Sequence, residues 1–389
     1  MSTSTTNNGK SACDISRRAF LKFGGAAALT IALPGAIGSL AGCRSEAGDA
    51  IFRHTRTVTD HAGREVAIPT ADALERIYYT SPLAQIYVFT LAPELQGGTG
   101  TQFTSSQLKF LPEGTDQLKY MGSISAGGEI DREMLMKEDI QLIFSISGVE
   151  LSPSNISDAE DLQNATGIPV VLVDGSFDKI IEAYRFVGDI MGLSERASGI
   201  ATYLDGIYQD VTNAVKDIPD SEKVSIYYAE GPSGLSTEPS VSQHARIFEV
   251  AGAYNVAQVE ESTSGFGMSA VSLESVIKWD PEVIIAWDAE VRGGAAEYIK
   301  VNDAWSGIKA VKNGRVYTMP SLPFAWVDRP NGVNRWLGLQ WIANMLYPDR
   351  YDVDMVHEAK EFYKRLYWYE LTDDEALMLL GNSYPPYGK

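Results

Sequence analysis

The residues with the clearest chemical potential are those at positions 323–331, PFAWVDRPN, which combine aromatic rings with a fixed positive charge. Phe324 and Trp326 could form flat apolar walls, and Arg329 could donate paired hydrogen bonds to a carboxylate or to phosphate-like oxygen atoms. Aromatic walls with a few placed charges are typical of sites for molecules of cofactor size. The alternative interpretation is structural: Trp326 would lie in the core, and Arg329 would form an ion pair with Asp328.

Other candidate ligand contacts follow apolar, strand-like runs. Trp287 and Arg292 repeat the pairing of an aromatic ring with an arginine, and Tyr228 ends an earlier run. Ligands of open α/β sheets bind beyond the carboxyl ends of the strands, so we expect these three residues to line one site. His244 follows the polar loop STEPSVSQ, but a lone histidine is more often a cap or a surface residue than a metal ligand.

The sequence contains no catalytic constellation. None of its four histidines has an obvious nucleophile and orienting acid beside it. The glycine-rich segment 97–102, GGTGTQ, lacks the Gly-Lys-Ser/Thr ending of a phosphate-binding loop. We therefore expect a binding protein with no intrinsic cofactor, and not an enzyme.

Composition excludes several partners. The formal net charge of −19 argues against nucleic acid, whose phosphates need clustered Lys and Arg, and against adsorption to anionic lipid through a basic face. The two cysteines provide neither a disulfide framework nor a thiolate zinc site.

The N-terminal segment has the pattern of an export signal. The pair Arg17-Arg18 precedes the apolar run 26–40, and the sequence LAGC ends at Cys43. The arginine pair resembles the twin-arginine type of signal, and LAGC resembles a bacterial lipobox. A membrane-spanning anchor is the alternative, but the run is shorter than the roughly 20 residues of a span. We expect residues 1–42 to be removed and Cys43 to be lipidated, which would hold the protein on the outer face of the cell membrane.

Beyond this segment, strands and helices alternate at a spacing that predicts βαβ units and mainly parallel sheet. Predicted strands are 76–80, 140–145, 169–173, 224–228, 283–287 and 315–319; predicted helices are 82–92, 130–137, 158–166, 244–251, 273–279, 333–346 and 355–369. The helical segment 194–217 would be about 36 Å long, which is too long for a crossover in a small sheet. We therefore expect an α/β protein of two lobes joined by one long rigid helix.

The domain boundaries follow from this alternation. A short tether at 43–51 precedes an N-terminal α/β lobe at 52–192. A linking helix at 193–219 then leads to a C-terminal α/β lobe at 220–389.

From about residue 55 to 380 the chain resembles the class III periplasmic binding proteins, the substrate-binding lipoproteins of ABC transporters for iron-siderophore, haem and cobalamin. The segments that carry the resemblance are VTDHAGREVAIP, MLMKEDIQLIFS, VSLESVIKWDPEVIIAW and FAWVDRPNGVNRWLGLQWIANMLYPDRY, in this order. The resemblance implies a monomer that binds an iron chelate, or a related metal complex such as haem or cobalamin, in a cleft between the lobes. The partners would be an ABC permease and its ATPase. The alternatives are a binder of a small metal species, such as nickel or a molybdate-like oxoanion, and a ligand-sensing lipoprotein without a transport role.

The resemblance further implies one permease-docking carboxylate in each lobe. Glu274, in VSLE, falls at the second-lobe position. In the first lobe, counting back from Lys137 gives Asp131, but Glu133 lies close by, and both remain candidates. The structural alternative is that acids in a first helical turn only complement the helix dipole.

Overall fold

The computed structural model describes residues 54–262, 268–288 and 293–381. The predicted export signal, the tether with Cys43, and Arg292 lie outside these ranges. Within them, no helix is both long enough and apolar enough to cross a membrane.

The described chain begins with an antiparallel hairpin of β1 (Thr55–Thr59) and β2 (Glu65–Pro69). Asp60 in its turn is buried, and it pairs with Arg64 at 2.7 Å. Asp60 also accepts a hydrogen bond of 3.2 Å from the backbone of Leu172. These contacts fasten the hairpin to the first sheet.

The first sheet is parallel, with its strands in sequence order. It consists of β3 (Ile77–Tyr79), β4 (Leu142–Ser147) and β5 (Val170–Asp174). Its strands are nearly continuous apolar runs because helices cover the sheet. The accompanying helices are α1 (Pro82–Leu91), α2 (Ser105–Leu108), α3 (Arg132–Lys137), α4 (Pro153–Thr166) and α5 (Ile180–Ile190).

The long helix expected between the sheets is present as α6 (Ser194–Val215). It is 22 residues long, or about 33 Å, and it is continuous. Ala197, Ile200, Leu204 and Val211 form part of its buried face. The indole Nε1 of Trp336 donates a 2.9 Å hydrogen bond to the carbonyl of Leu204, which ties the middle of the helix to the C-terminal half of the chain.

The second sheet is also parallel, in the order β11-β10-β6-β8. Its strands are β6 (Ser225–Ala229), β8 (Tyr254–Asn255), β10 (Val283–Ala286) and β11 (Val316–Thr318). A short antiparallel pair, β7 (Ser236–Thr237) and β9 (Ser269–Ala270), forms a separate ladder next to the end of β6, where Glu230 bridges to Ser236. The helices of this half are α7 (Arg246–Val250), α8 (Leu273–Trp279), α9 (Ala296–Val301), α10 (Lys309–Lys312), α11 (Asn334–Leu346), α12 (Met355–Leu366) and α13 (Asp373–Leu380).

The α/β class with mainly parallel sheets is confirmed, and the differences are at element ends and in short elements that were not predicted, such as β8, α9 and α10. The helix predicted at 158–166 begins at Pro153. Ser152 and Asn155 form a capping box there, with proline in the first turn, so the polar residues 152–157 start a helix and do not extend a loop. The helix predicted from residue 244 begins at Arg246, so His244 precedes it.

The loops that follow the two sheets touch each other. The side chain of Asn331 donates a 3.0 Å hydrogen bond to the carbonyl of Gly148. A Cβ at residue 148 would lie 2.3 Å from the Asn331 amide nitrogen, so only glycine permits this approach. Phe177, just beyond β5, stacks on Trp336 of α11 at 4.8 Å between ring centroids. The described residues form one compact unit, and the predicted lobe boundaries stay a prediction.

A continuous linking helix and these direct contacts predict little closure when solute binds, in contrast to hinge-type binding proteins. Small-angle X-ray scattering of free and solute-loaded protein should give the same radius of gyration within error. A clear fall on loading would show that the two halves close by a hinge.

Candidate ligand-binding site

The carboxyl ends of the second sheet bring three loops to one edge. Glu230 directly follows β6, Trp287 follows β10, and the loop 319–331 follows β11. Because these strands are parallel neighbours, the three loops meet at the same edge, where open α/β sheets bind ligands. The candidate site is built around the last of these loops.

The guanidinium of Arg329 lies among three carboxyl groups. Its Nε is 3.2 Å from Oε1 of Glu230 and 3.4 Å from Oδ2 of Asp328, and its Nη2 donates to Oε1 of Glu238. All three acids are fully buried, whereas the Arg329 side chain is 17% exposed. Carboxylates removed from water need a paired cation. Arg329 also has a left-handed backbone, with φ of 57°, which is the kind of strain that proteins keep at functional sites.

His244 is held by the same cluster. Its Nδ1 lies 2.7 Å from Oδ1 of Asp328, and its side chain is 24% exposed. One buried carboxylate therefore holds both His244 and Arg329. Because Asp328 engages Nδ1, Nε2 is the ring nitrogen that can reach a ligand.

A second buried arginine supports the loop that carries His244. Arg335, in the first turn of α11, donates from Nη2 to the carbonyls of Gln243 and His244 at 3.2 and 3.3 Å. Glu238 fixes the other side of this loop, because its Oε2 accepts a 2.8 Å hydrogen bond from the Ser242 hydroxyl. The partly exposed cationic groups are thus braced by buried partners.

Burial and charge together set the protonation of the cluster. Burial, with Asp328 and Glu238 adding to it, raises the pKa of Glu230 to about 9, although Arg329 opposes the shift. Burial also acts on Asp328, but the charges of His244, Arg329 and Arg335 outweigh it and hold the pKa of Asp328 below its usual value. Burial disfavours the charged form of His244, and Asp328 outweighs that effect, so the pKa of His244 is raised. The cluster therefore keeps a proton on Glu230 at neutral pH and favours a positive His244.

The structure brings together part of the set predicted from sequence. Trp287 donates from Nε1 to the Tyr228 hydroxyl at 2.8 Å, and the Arg329 guanidinium lies 5.8 Å from the Trp287 ring centroid. His244 joins them through Asp328. The ion pair between Arg329 and Asp328, the structural alternative drawn from the sequence, is also present.

The predicted aromatic walls lie in the interior. Trp326 and Tyr228 are fully buried, and Phe324 and Trp287 are 5% and 7% exposed. The Phe324 ring packs against Phe89 and Phe103, each at 6.1 Å between centroids. In this conformation these rings present little surface to a solute.

Sequence reasoning missed four members of the cluster: Glu230, Glu238, Asp328 as an anchor for His244, and Arg335. The available signal was an acid placed immediately after a fully apolar strand, as Glu230 is. Such an acid reads as an ordinary loop residue until its burial is known.

Residues 111–323, more than half of the chain, match the family described as periplasmic binding protein. The chain belongs to this family. Its structural neighbours are class III binding proteins of ABC transporters, as the sequence predicted. A solved structure of an ABC transporter solute-binding protein from Sulfurospirillum deleyianum matches with a TM-score of 0.75 and 28% identity, covering 83% of this chain and 98% of that one.

Two relatives by sequence are informative. The molybdate-binding protein MolA of Haemophilus influenzae is 32% identical over 161 residues, which are 41% of this chain and 43% of MolA. The match therefore spans less than half the length of MolA. YvrC, an ABC transporter substrate-binding lipoprotein of Bacillus subtilis, is 23% identical over 244 residues, 62% of this chain and 71% of YvrC.

Within this family fold, the two helix-turn-strand units that carry the candidate docking acids can be aligned by their geometry. Leu135 of α3 and Val276 of α8 are both fully buried. Asp139 and Asp280, four residues further on, both have left-handed backbones, with φ of 52° and 47°. Each is followed three residues later by the start of a parallel strand, β4 or β10.

This alignment pairs Glu133 with Glu274, and both side chains are exposed. Asp131 is the N-cap of α3, where it accepts a 2.8 Å hydrogen bond from Met134 N. Ser272 caps α8 in the same way. Lys137 and Lys278 each stand four residues after the paired acid, so the spacing of the second unit, counted back from Lys137, gives Glu133 and not Asp131.

The raised pKa of Glu230 predicts a pH-dependent stability. Between pH 4.5 and about 9 the folded protein holds a proton on Glu230 that the unfolded chain releases. The free energy of unfolding should therefore fall as pH rises, by up to about 1.4 kcal/mol per pH unit. His244 also lowers the free energy of unfolding as pH rises above the pKa of the unfolded histidine, about 6.5. Asp328 affects the free energy of unfolding only under acidic conditions.

Glu230→Gln should flatten this slope, as measured by urea unfolding from pH 5 to 8.5. Glu113→Gln, on the surface, is the control for loss of one charge. A Glu230→Gln curve parallel to that of the wild type would show that Glu230 is not the group that retains the proton.

Proposed function

We propose that this protein is the extracytoplasmic solute-binding component of an ABC importer, and that its solute is a small oxoanion of the molybdate type. The observation that carries the proposal is the pair of partly exposed cationic side chains, Arg329 and His244, braced by buried carboxyl groups at the ligand-binding edge of the second sheet.

The cluster favours an anion because the groups that reach the surface, Arg329 and His244, are positive. The three acids are fully buried, whereas Arg329 and His244 are partly exposed. Nη1 of Arg329 and Nε2 of His244 are left free of the three acids that brace these side chains. Charge-assisted hydrogen bonds from such fixed donors bind anionic oxygen atoms strongly.

The residues around Arg329 and His244 favour a small solute over an iron chelate, haem or cobalamin, which are the solutes that the sequence resemblance implied. A large planar chelate would need broad aromatic faces, but Trp326 and Tyr228 are fully buried. The contact of Asn331 with Gly148 also keeps the opposing loops within hydrogen-bond distance. The similarity to the molybdate-binding MolA supports the same class of solute.

The partners follow from the family. We propose delivery to an ABC permease with its ATPase, by a monomer anchored through Cys43. LAGC at 40–43 supports the lipid anchor, as does the similarity to the lipoprotein YvrC. Export by the twin-arginine route stays a prediction from the arginine pair.

The solute class is tested by isothermal titration with molybdate, tungstate, sulfate, haem and a ferric siderophore. Molybdate should bind, and Arg329→Gln and His244→Gln should each weaken it by about 1.5–3 kcal/mol, as expected for a lost hydrogen bond to a charged group. Arg56→Gln, on the distant hairpin, is the matched control. Binding of a ferric siderophore or haem, with no heat of binding from molybdate, would refute the proposal of an oxoanion solute and would support a metal chelate as the solute.

Docking is tested by charge reversal in cells that carry the importer. Glu133→Arg and Glu274→Arg should keep the fold and solute affinity but abolish uptake, because like charges would then face each other across the permease interface. Asp131→Asn keeps the helix cap and should leave uptake normal. Normal uptake by the Glu133→Arg, Glu274→Arg double variant would show that neither acid docks on the permease and that both only complement a helix dipole.

A further inference from the structure

The cluster around Arg329 contains three side chains that could together hold a metal ion. Glu238, His244 and Asp328 each offer one ligand atom, and these atoms all lie within 4.8 Å of one another. Two carboxylates and an imidazole suit divalent transition-metal ions such as Co²⁺, Ni²⁺ and Zn²⁺. Ligand atoms on a tetrahedral ion of this kind lie about 3.3–3.6 Å apart, so the three side chains would have to move about 1 Å closer together.

Arg329 occupies the electrostatic position of that ion. Its guanidinium contacts two of the three ligand residues, Glu238 through Nη2 and Asp328 through Nε. A divalent ion bound to the same oxygen atoms would lie against this permanent positive charge. Arginine stays protonated in proteins, so the repulsion cannot be relieved by loss of a proton.

One carboxyl group beside Arg329 retains an oxygen that no donor among the described residues meets. Glu230 is fully buried, and its Oε2 has no hydrogen-bond partner in the described part of the chain. Glu230 shares the Nε of Arg329 with Asp328. The buried carboxyl oxygens therefore outnumber the hydrogen bonds that this one guanidinium gives them.

We propose that Glu238, His244 and Asp328 form a latent divalent-metal site that the Arg329 side chain fills. Arg329 thereby determines the charge of the accepted solute: the wild-type protein rejects free metal cations, and removal of this one side chain opens a metal site. The inference concerns the site of the proposed function, but it rests on the metal-ligand geometry and its test does not depend on oxoanion binding.

The test measures Co²⁺ binding by four chelator-treated proteins: wild type, Arg329→Met, Arg329→Gln and Arg329→Lys. The two readouts are the visible absorption of bound Co²⁺ and the melting temperature of the protein. Arg329→Met and Arg329→Gln should bind one Co²⁺ and melt at a higher temperature when it is present. Wild type and Arg329→Lys, which keep the positive charge, should do neither. Adding His244→Gln to Arg329→Met should weaken Co²⁺ binding at least about tenfold, since a ligand is lost.

Each outcome bears on the proposal. If Arg329→Met is unfolded without metal because its buried acids lack a cation, it should fold when Co²⁺ is added. Failure to fold with Co²⁺, a folded variant that shows no Co²⁺ absorption, or wild type that binds Co²⁺ through His244 would each overturn it. A wild type that binds neither Co²⁺ nor molybdate would refute only the proposed solute.

Discussion

The arrangement depends on one interaction, the burial of the Arg329 guanidinium among Glu230, Glu238 and Asp328. Three acids without contact with water cannot all be charged unless cations lie beside them. That requirement explains why Glu230 keeps its proton. It also explains why His244 is drawn to the remaining oxygen of Asp328. The buried carboxyl groups orient Arg329 and His244, so the hydrogen-bond donors are already fixed before a solute approaches.

The fold supplies this cluster from separate parts of the chain. Glu230 comes from the end of β6, Glu238 from beyond β7, and Asp328 with Arg329 from the loop after β11. Arg335, from α11, secures the His244 loop and also stacks on Phe177, at 4.6 Å from its guanidinium to the ring centroid. Phe177 belongs to the loop after β5 of the first sheet. The first turn of α11 therefore contacts both the charged cluster and the loop after β5. Arg335, which helps to orient His244, also holds that loop through Phe177.

The sequence was sufficient for the fold because alternating apolar runs and helix signals are local. Every strand of the two main sheets except β8 was predicted, and the long helix was recognised by its length. The site was only partly predictable. Arg329 could be chosen because its loop is rich in aromatic and charged residues, but the burial of Trp326 depends on packing between distant segments. Glu238 gave no signal, since its role comes from a contact with Arg329, 91 residues further along the chain. The docking acid was ambiguous because Asp131 and Glu133 stand two residues apart at one helix start, and the burial of Leu135 and Val276 is what aligns α3 with α8.

Arg329 and His244, as proposed, form the contact surface for an anionic solute. Anomalous diffraction at the molybdenum edge, from crystals grown with molybdate, measures this directly. We expect one molybdenum peak, from a molybdate whose oxygen atoms lie within about 3 Å of Nη1 of Arg329 and Nε2 of His244. A molybdenum peak remote from both side chains, or no peak in a crystal whose cleft holds an organic chelate, would contradict it.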